Sequence, residues 1–175
     1  NRFLEFYQTQ PTRGCPFGCT CCINNTYLQM YPHQKPIRMR GVDNIIKELQ
    51  EVKRNLPFAK IILFDDDAFF IMPLEIIREF GKKYKELIRM PLAITGAAPS
   101  TLTREKFAIL VDAGLVSIRM GIETAAKKTK KFYKRPASNI QVLKAGRMLG
   151  EYSYYTKIFY NLILDCPWET DEDLV

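Results

Sequence analysis

Residues 59–95 read AKIILFDDDAFFIMPLEIIREFGKKYKELIRMPLAIT. The opening "AKIILFDDD" is a short apolar run halted by three acids, the pattern of a strand buried on both faces. "PLEIIREFGKKYKELI" (73–88) follows, with Pro73 at a position favoured in a first helical turn and apolar residues at helical spacing. "LAIT" (92–95) is the next strand. A strand, a helix and a second strand at this spacing predict a right-handed βαβ crossover and parallel pairing.

The same alternation extends in both directions. "FLEFYQTQ" (3–10) reads as a first strand. "GVDNIIKELQEVKRNL" (41–56) places Ile45, Ile46, Leu49, Val52 and Leu56 on one helical face, with Asp43 favouring its start. "TREKFAILVDAG" (103–114) carries a Thr103 cap and a Gly114 stop. "LVSIRMGIE" (115–123) is a fourth strand, "SNIQVLKAGRMLGEY" (138–152) a fourth helix and "YTKIFYNLILD" (155–165) a fifth strand. "ETDEDLV" (169–175) reads as the acidic first turn of a helix that the chain does not complete. The pattern predicts an α/β fold with a parallel sheet, either doubly wound or wound as a barrel. A Gly-rich dinucleotide fingerprint after the first strand would favour the former, and "CPFGCTCC" stands in its place. No repeat, low-complexity tract or interior linker divides residues 1–175, so one domain is expected.

The chain has 175 residues, 47% of them apolar, and a formal net charge of +7. That balance permits nucleic acid, an acidic membrane surface or a small anion as partner and selects none. Its one compact basic block, "KKTKKFYKR" (127–135), reads as a solvated surface. Charges interrupt every apolar run before it could span a bilayer, and no secretory leader is visible. Five cysteines make an odd count, and four of them crowd "TRGCPFGCTCC" (12–22). A disulfide scaffold would spread them out, so a reducing, cytoplasmic setting is expected.

Cys15, Cys19 and Cys22 form a C-x3-C-x2-C array on a loop whose Gly14 and Gly18 permit the positive backbone angles of a tight wrap. Structural zinc wants four ligands, usually as two separated pairs. Only Cys166 and His33 are available for a fourth, and neither sits in a paired context. An iron–sulfur cubane normally takes four cysteines, so three would leave one iron open.

"RGCPFGCTCC" resembles the cluster loop of the radical S-adenosylmethionine (radical SAM) superfamily, whose hallmark is C-x3-C-x2-C. "LFDDDAFF" (63–70) resembles an F-x-D-D-x-F element of the cobalamin-associated subgroup, matched at Phe64, Asp66, Asp67 and Phe69. "RMGIET" (119–124) is similar to that superfamily's GIES/GIET strand end, and "LILDCPWETDEDL" (162–174) to its GLPGETEED segment, at Pro167, Glu169, Thr170, Glu172 and Asp173. "IRMRGVDNIIKEL" (37–49) resembles the entry to its first helix, with Arg38, Arg40 and Glu48 in register. The resemblance covers nearly the whole chain in order. It implies a partial TIM-like (βα)6 barrel truncated after about its fifth strand, with flanking domains outside the chain and exposed apolar surface at the open edge.

Functionally, the resemblance implies a [4Fe-4S] cluster held by Cys15, Cys19 and Cys22, and S-adenosylmethionine contacts at Asp66, Asp67 and Glu123. The implied reaction is reductive cleavage of S-adenosylmethionine to a 5'-deoxyadenosyl radical. A transferase is expected, a cobalamin-associated methyltransferase or rearrangement enzyme with cobalamin on a domain outside this chain. The alternatives are a methylthiotransferase acting on tRNA or protein, and a non-catalytic iron–sulfur or zinc module. A small-molecule substrate is favoured over nucleic acid, and flavodoxin or ferredoxin is the expected electron donor. Each residue also has a plainer reading. Asp65 suits a solvated turn, Glu123 an ion pair with Arg119, Cys166 a buried hydrophobe, His33 an exposed loop, and Lys134 and Arg135 the surface. Cys21, at a position usually aromatic in the family, is expected to pack behind the loop as a non-ligand. Asp165 and Trp168 replace glycines of the GLPGE turn and put its shape in question.

Overall fold

The computed structural model describes residues 5–164 and 166–173. Five parallel strands form the main sheet: β1 (Phe6–Thr9), β4 (Ile61–Phe64), β5 (Leu92–Ala97), β6 (Leu115–Glu123) and β7 (Lys157–Leu162), in that order. Strands follow one another across the sheet without a reversal, which is the winding of a barrel and not of a doubly wound sheet. β1 and β7 do not pair, so the barrel is open. β2 (Thr12–Arg13) and β3 (Arg38–Met39) form a separate two-residue antiparallel pair beside the cysteine loop.

Helices α2 (Val42–Asn55), α3 (Leu74–Lys83), α4 (Arg104–Ala113) and α6 (Asn139–Gly150) connect the strands as the periodicity predicts. The Thr103 hydroxyl accepts from the Lys106 amide, and Gly114 closes α4 at φ +112°. Ser138 and Gln141 form a reciprocal capping box on α6. The core lies between the sheet and these helices, around Phe64, Phe69, Phe80, Tyr84 and Phe107, all buried. Phe64 touches both Phe69 and Phe80 with ring centroids 5.6 and 5.5 Å apart. Truncating Phe80 to Ala is expected to cost about 3–5 kcal/mol, read by denaturant unfolding.

Two helices are additions to the sequence reading. α1 (Ile23–Met30) buries only Asn24, and α5 (Lys127–Tyr133) buries only Thr129 and Tyr133. Neither buries the apolar stripe by which a helix is recognised, and α5 is held by hydrogen bonds to its surroundings. The open edge carries apolar side chains in water, as anticipated: Phe159, Tyr160 and Leu162 on β7, Ile140 and Leu143 on α6.

Candidate cofactor site at the strand tips

The cysteine loop leaves β1 through a short path that glycine makes possible. Gly14 adopts φ +87°, and a Cβ there would lie 2.5 Å from the Pro36 carbonyl oxygen. Gly18 does not use a positive φ, so only one of the two loop glycines serves in that way. Cys22 closes a turn by donating its amide to the Cys19 carbonyl at 3.1 Å, then caps the start of α1. Two bonds tie the loop to the end of α5: the Thr20 amide to the Tyr133 carbonyl (3.1 Å) and the Thr20 hydroxyl to the Phe132 carbonyl (2.7 Å).

Cys15, Cys19 and Cys22 all line one cavity of about 420 Å³. Its other walls come from the strand tips: Asp67 after β4, Gly96 and Ala97 on β5, Gly121 and Glu123 on β6, Asn161 and Ile163 at β7. Every cysteine is a free thiol. Burial raises the Cys15 pKa above its ordinary value, and the neighbouring Cys19, Cys22 and Asp67 add to the rise. Among the described residues no three His, Cys, Asp or Glu side chains converge closely enough for a single metal ion. Three thiolates that each take a different iron of one cluster need not converge on a point. Cys21 is exposed at the cavity margin and does not pack behind the loop.

The three acids after β4 have three different placements. Asp65 is exposed, its carboxylate accepting from Gln8 (2.6 Å) and from the Thr95 hydroxyl (3.0 Å). Asp66 is buried, and both its oxygens are taken: the Thr12 amide (2.7 Å) binds one, the Thr12 hydroxyl (2.6 Å) and the Ala68 amide (2.9 Å) the other. The expected cofactor contact at Asp66 therefore gives way to a scaffold function, anchoring β2 at the mouth of the cysteine loop. Asp67 turns the other way, exposed and on the cavity wall beside Cys15.

β5 and β6 each bend at the cavity. Gly96 has φ +69°, and a Cβ would fall 2.0 Å from the Asp66 carbonyl oxygen. Gly96→Ala is expected to cost about 2–4 kcal/mol in thermal unfolding. Gly18→Ala should cost less than about 1 kcal/mol, since only the Asn25 side chain lies near, at 3.6 Å. Glu123 ends β6 at φ +67°, a left-handed conformation that a non-glycine residue rarely adopts, and the pairing with β7 shifts register there. Burial raises the Glu123 pKa, and Arg135 opposes the rise.

Arg135 is the residue that sequence reasoning placed wrongly. It is largely buried, and donates to the Gly121 carbonyl (3.0 Å) and to the Cys19 sulfur (3.5 Å) while standing 3.7 Å from Glu123. The partner of Glu123 is thus Arg135 and not Arg119, which is exposed on the cavity wall. Its position at the end of a lysine-rich run concealed it, because charge composition does not reveal which cation turns inward. Asn24 was also missed; it is buried and donates to the Cys22 sulfur at 3.8 Å.

The remaining candidates lie off the cavity wall. Cys166 is buried with its sulfur 2.6 Å from the Tyr133 hydroxyl, a contact that pushes the phenol pKa up to about 12. Trp168 donates to the Thr129 hydroxyl at 2.9 Å and packs on Phe132, filling the place of the glycine turn. Glu169 accepts from the Thr124 hydroxyl (2.9 Å), and its other oxygen is buried with no hydrogen-bond partner among the described residues. Asp165 and the last residues of the acidic turn, 174 and 175, lie outside the described residues. Arg40 pairs with Glu48, which also accepts from the Tyr7 hydroxyl. His33 is exposed.

An open, sequentially wound parallel sheet with a three-cysteine loop after its first strand defines the class as a partial α/β barrel. The sequence profile of the radical SAM superfamily matches residues 9–175, and the chain belongs to that superfamily. Among solved structures it is similar to the radical S-adenosylmethionine methyltransferase TsrM from Kitasatospora setae, with tryptophan substrate and a SAM analogue bound (TM-score 0.80, 15% identity, 99% of this chain and 33% of that one). It is also similar to the cobalamin-dependent S-adenosylmethionine radical enzyme OxsB (0.72, 16%, 95% and 25%) and to coproporphyrinogen III oxidase from Escherichia coli (0.58, 16%, 76% and 32%). The chain thus spans a quarter to a third of the length of these proteins. No curated protein matches it significantly. No helix among the described residues is long and apolar enough to cross a membrane.

Proposed function

We propose that this chain is the catalytic core of a radical SAM enzyme, with Cys15, Cys19 and Cys22 as the three protein ligands of a [4Fe-4S] cluster. The observation that carries this reading is the common cavity of the three thiols, which opens onto the tips of all four strands β4 to β7. When bound there, cluster and S-adenosylmethionine together would supply a one-electron reductive cleavage of the sulfonium and a 5'-deoxyadenosyl radical. The chain's own residues bind, orient and shield. Glu123 and Arg135 offer opposite charges side by side, which suits the amino and carboxylate groups of one amino-acid moiety. Asp67 adds negative charge near Cys15, favourable to a sulfonium. Asp66 and Asn24 act as positioning residues for the loop. Enclosure among the strand tips keeps water from a reactive intermediate.

The likeness to TsrM and OxsB, with the F-x-D-D-x-F element, supports assignment to the cobalamin-associated group, with cobalamin carried outside this chain and a small molecule as substrate. Anaerobic reconstitution with iron and sulfide tests the core reading. About four irons per chain are expected, with a reduced-cluster spectrum that changes when S-adenosylmethionine is added. Iron far below that, or a spectrum indifferent to S-adenosylmethionine, overturns it. Because burial keeps the Cys15 thiol protonated and a metal must displace that proton, iron uptake should improve as pH rises.

A further inference from the structure

Reductive chemistry at the cysteine cavity needs an electron delivered from outside the chain, and one surface beside the loop is built to receive its carrier. α5 carries Lys127, Lys128 and Lys131, with Lys134 at its end, all exposed. Among the described residues none of these four is in an ion pair. Lys127 and Lys128 stand in the first turn, where the helix dipole disfavours cations, and no side chain caps that end. The Lys128 ammonium lies over the Trp168 ring, 5.9 Å from its centroid, and the like charges of the group repel one another.

The helix is also joined directly to the loop. Its last carbonyls, Phe132 and Tyr133, accept both hydrogen bonds from Thr20, and the Lys134 carbonyl lies 3.9 Å from the Cys19 sulfur. Phe132, 56% exposed, flanks the charged face on the Lys128 side. A cationic face with an apolar contact at its edge, one residue from a ligand sulfur, is complementary to a small acidic protein.

We propose that the Lys127, Lys128, Lys131 and Lys134 face of α5 is the docking surface for an acidic one-electron carrier protein that reduces the group held by Cys19. This rests on the cluster reading above. The step is a single electron: the carrier is oxidised by one, the cluster reduced by one, with no proton or leaving group moved. Nucleic acid is the other polyanion such a face could attract. It is disfavoured because Phe132 is the one exposed ring on α5 and Tyr133 is buried, so successive bases have no row of rings to stack on.

Reduced flavodoxin is the probe. The triple variant K127E/K128E/K131E should bind flavodoxin at least about tenfold more weakly at low salt in the cluster-free chain, where no metal chemistry intervenes. In the reconstituted chain, cluster reduction by flavodoxin should slow by a similar factor, while reduction by dithionite stays unchanged. Wild-type rates should fall with salt and the variant's should not. A control of equal charge on α2 and α3, K47E/R54E/K82E, should have little effect on either readout. Equal slowing with dithionite, equal slowing in the control, or unchanged flavodoxin binding overturns the proposal. So does a variant that loses affinity for tRNA while flavodoxin binding is retained. Failure to take up iron would sink the cluster reading alone, since the binding measurement on the cluster-free chain still decides the docking face.

Discussion

Replacing Cys15, Cys19 or Cys22 with Ala, one at a time, is expected to abolish cleavage of S-adenosylmethionine and to drop reconstituted iron far below about four per chain. Cys21→Ala and Cys166→Ala should retain both. The division follows from placement: the first three thiols face one cavity at the strand tips, Cys21 stands exposed at its margin, and Cys166 is occupied by the Tyr133 hydroxyl. None of the five is in a disulfide, and each is small, so the cluster-free variants should melt within about 1–2 kcal/mol of the wild-type chain. Loss of iron is then a ligand effect and not unfolding. Iron counting with a thermal melt of the same samples checks it. If Cys21→Ala behaved as Cys22→Ala does, the ligand assignment would be wrong.

Asp66→Ala is expected to be the most damaging substitution outside the cysteines. The carboxylate receives three hydrogen bonds, two from Thr12 and one from Ala68, and removing it strands those donors in a buried site. Unsatisfied buried groups cost about 1–3 kcal/mol each, so a total loss of about 3–5 kcal/mol is expected by denaturant unfolding. Such a loss is a large fraction of an ordinary domain's stability. Iron uptake should fall too, because Thr12 fixes the strand from which the cysteine loop departs. Gly96→Ala strikes the same joint from β5 and offers a second test with all of the carboxylate's bonds intact.

The pH dependence of Asp66 has a definite sign. Burial raises its folded-state pKa above the ordinary carboxylate value, outweighing the three hydrogen bonds that oppose the rise. The stabilisation associated with its protonated form is therefore complete below the unfolded pKa and is lost as pH climbs through the folded one. Asp66→Asn does not titrate. The stability margin of wild type over this variant should thus narrow with rising pH across the acid range, as read from melts in matched buffers. A margin that widens would show that the hydrogen bonds dominate the buried carboxylate.

Much of this protein was legible before any coordinates. The strand-helix alternation was readable because buried parallel strands are short apolar runs and their covering helices are amphipathic, and both are local patterns. The order of the elements, the sites of the Thr103 and Gly114 caps and the cysteine spacing belong to that class. α1 and α5 were not readable, since α1 buries only Asn24, and Thr129 and Tyr133 of α5 are held by partners distant in the chain. Neither was the division of labour among Asp65, Asp66 and Asp67, three identical residues that differ only in which way each faces.

What the sequence determined by itself was the α/β class, the family resemblance and the loop that gathers the thiols, because each is written in neighbouring residues. Only the tertiary structure decided that Arg135 and not Arg119 meets Glu123, and that Asp66 braces the loop from behind. Those outcomes depend on which side chains arrive at one place from strands far apart in the chain. Burial and electrostatics act on that meeting, and no local pattern encodes it.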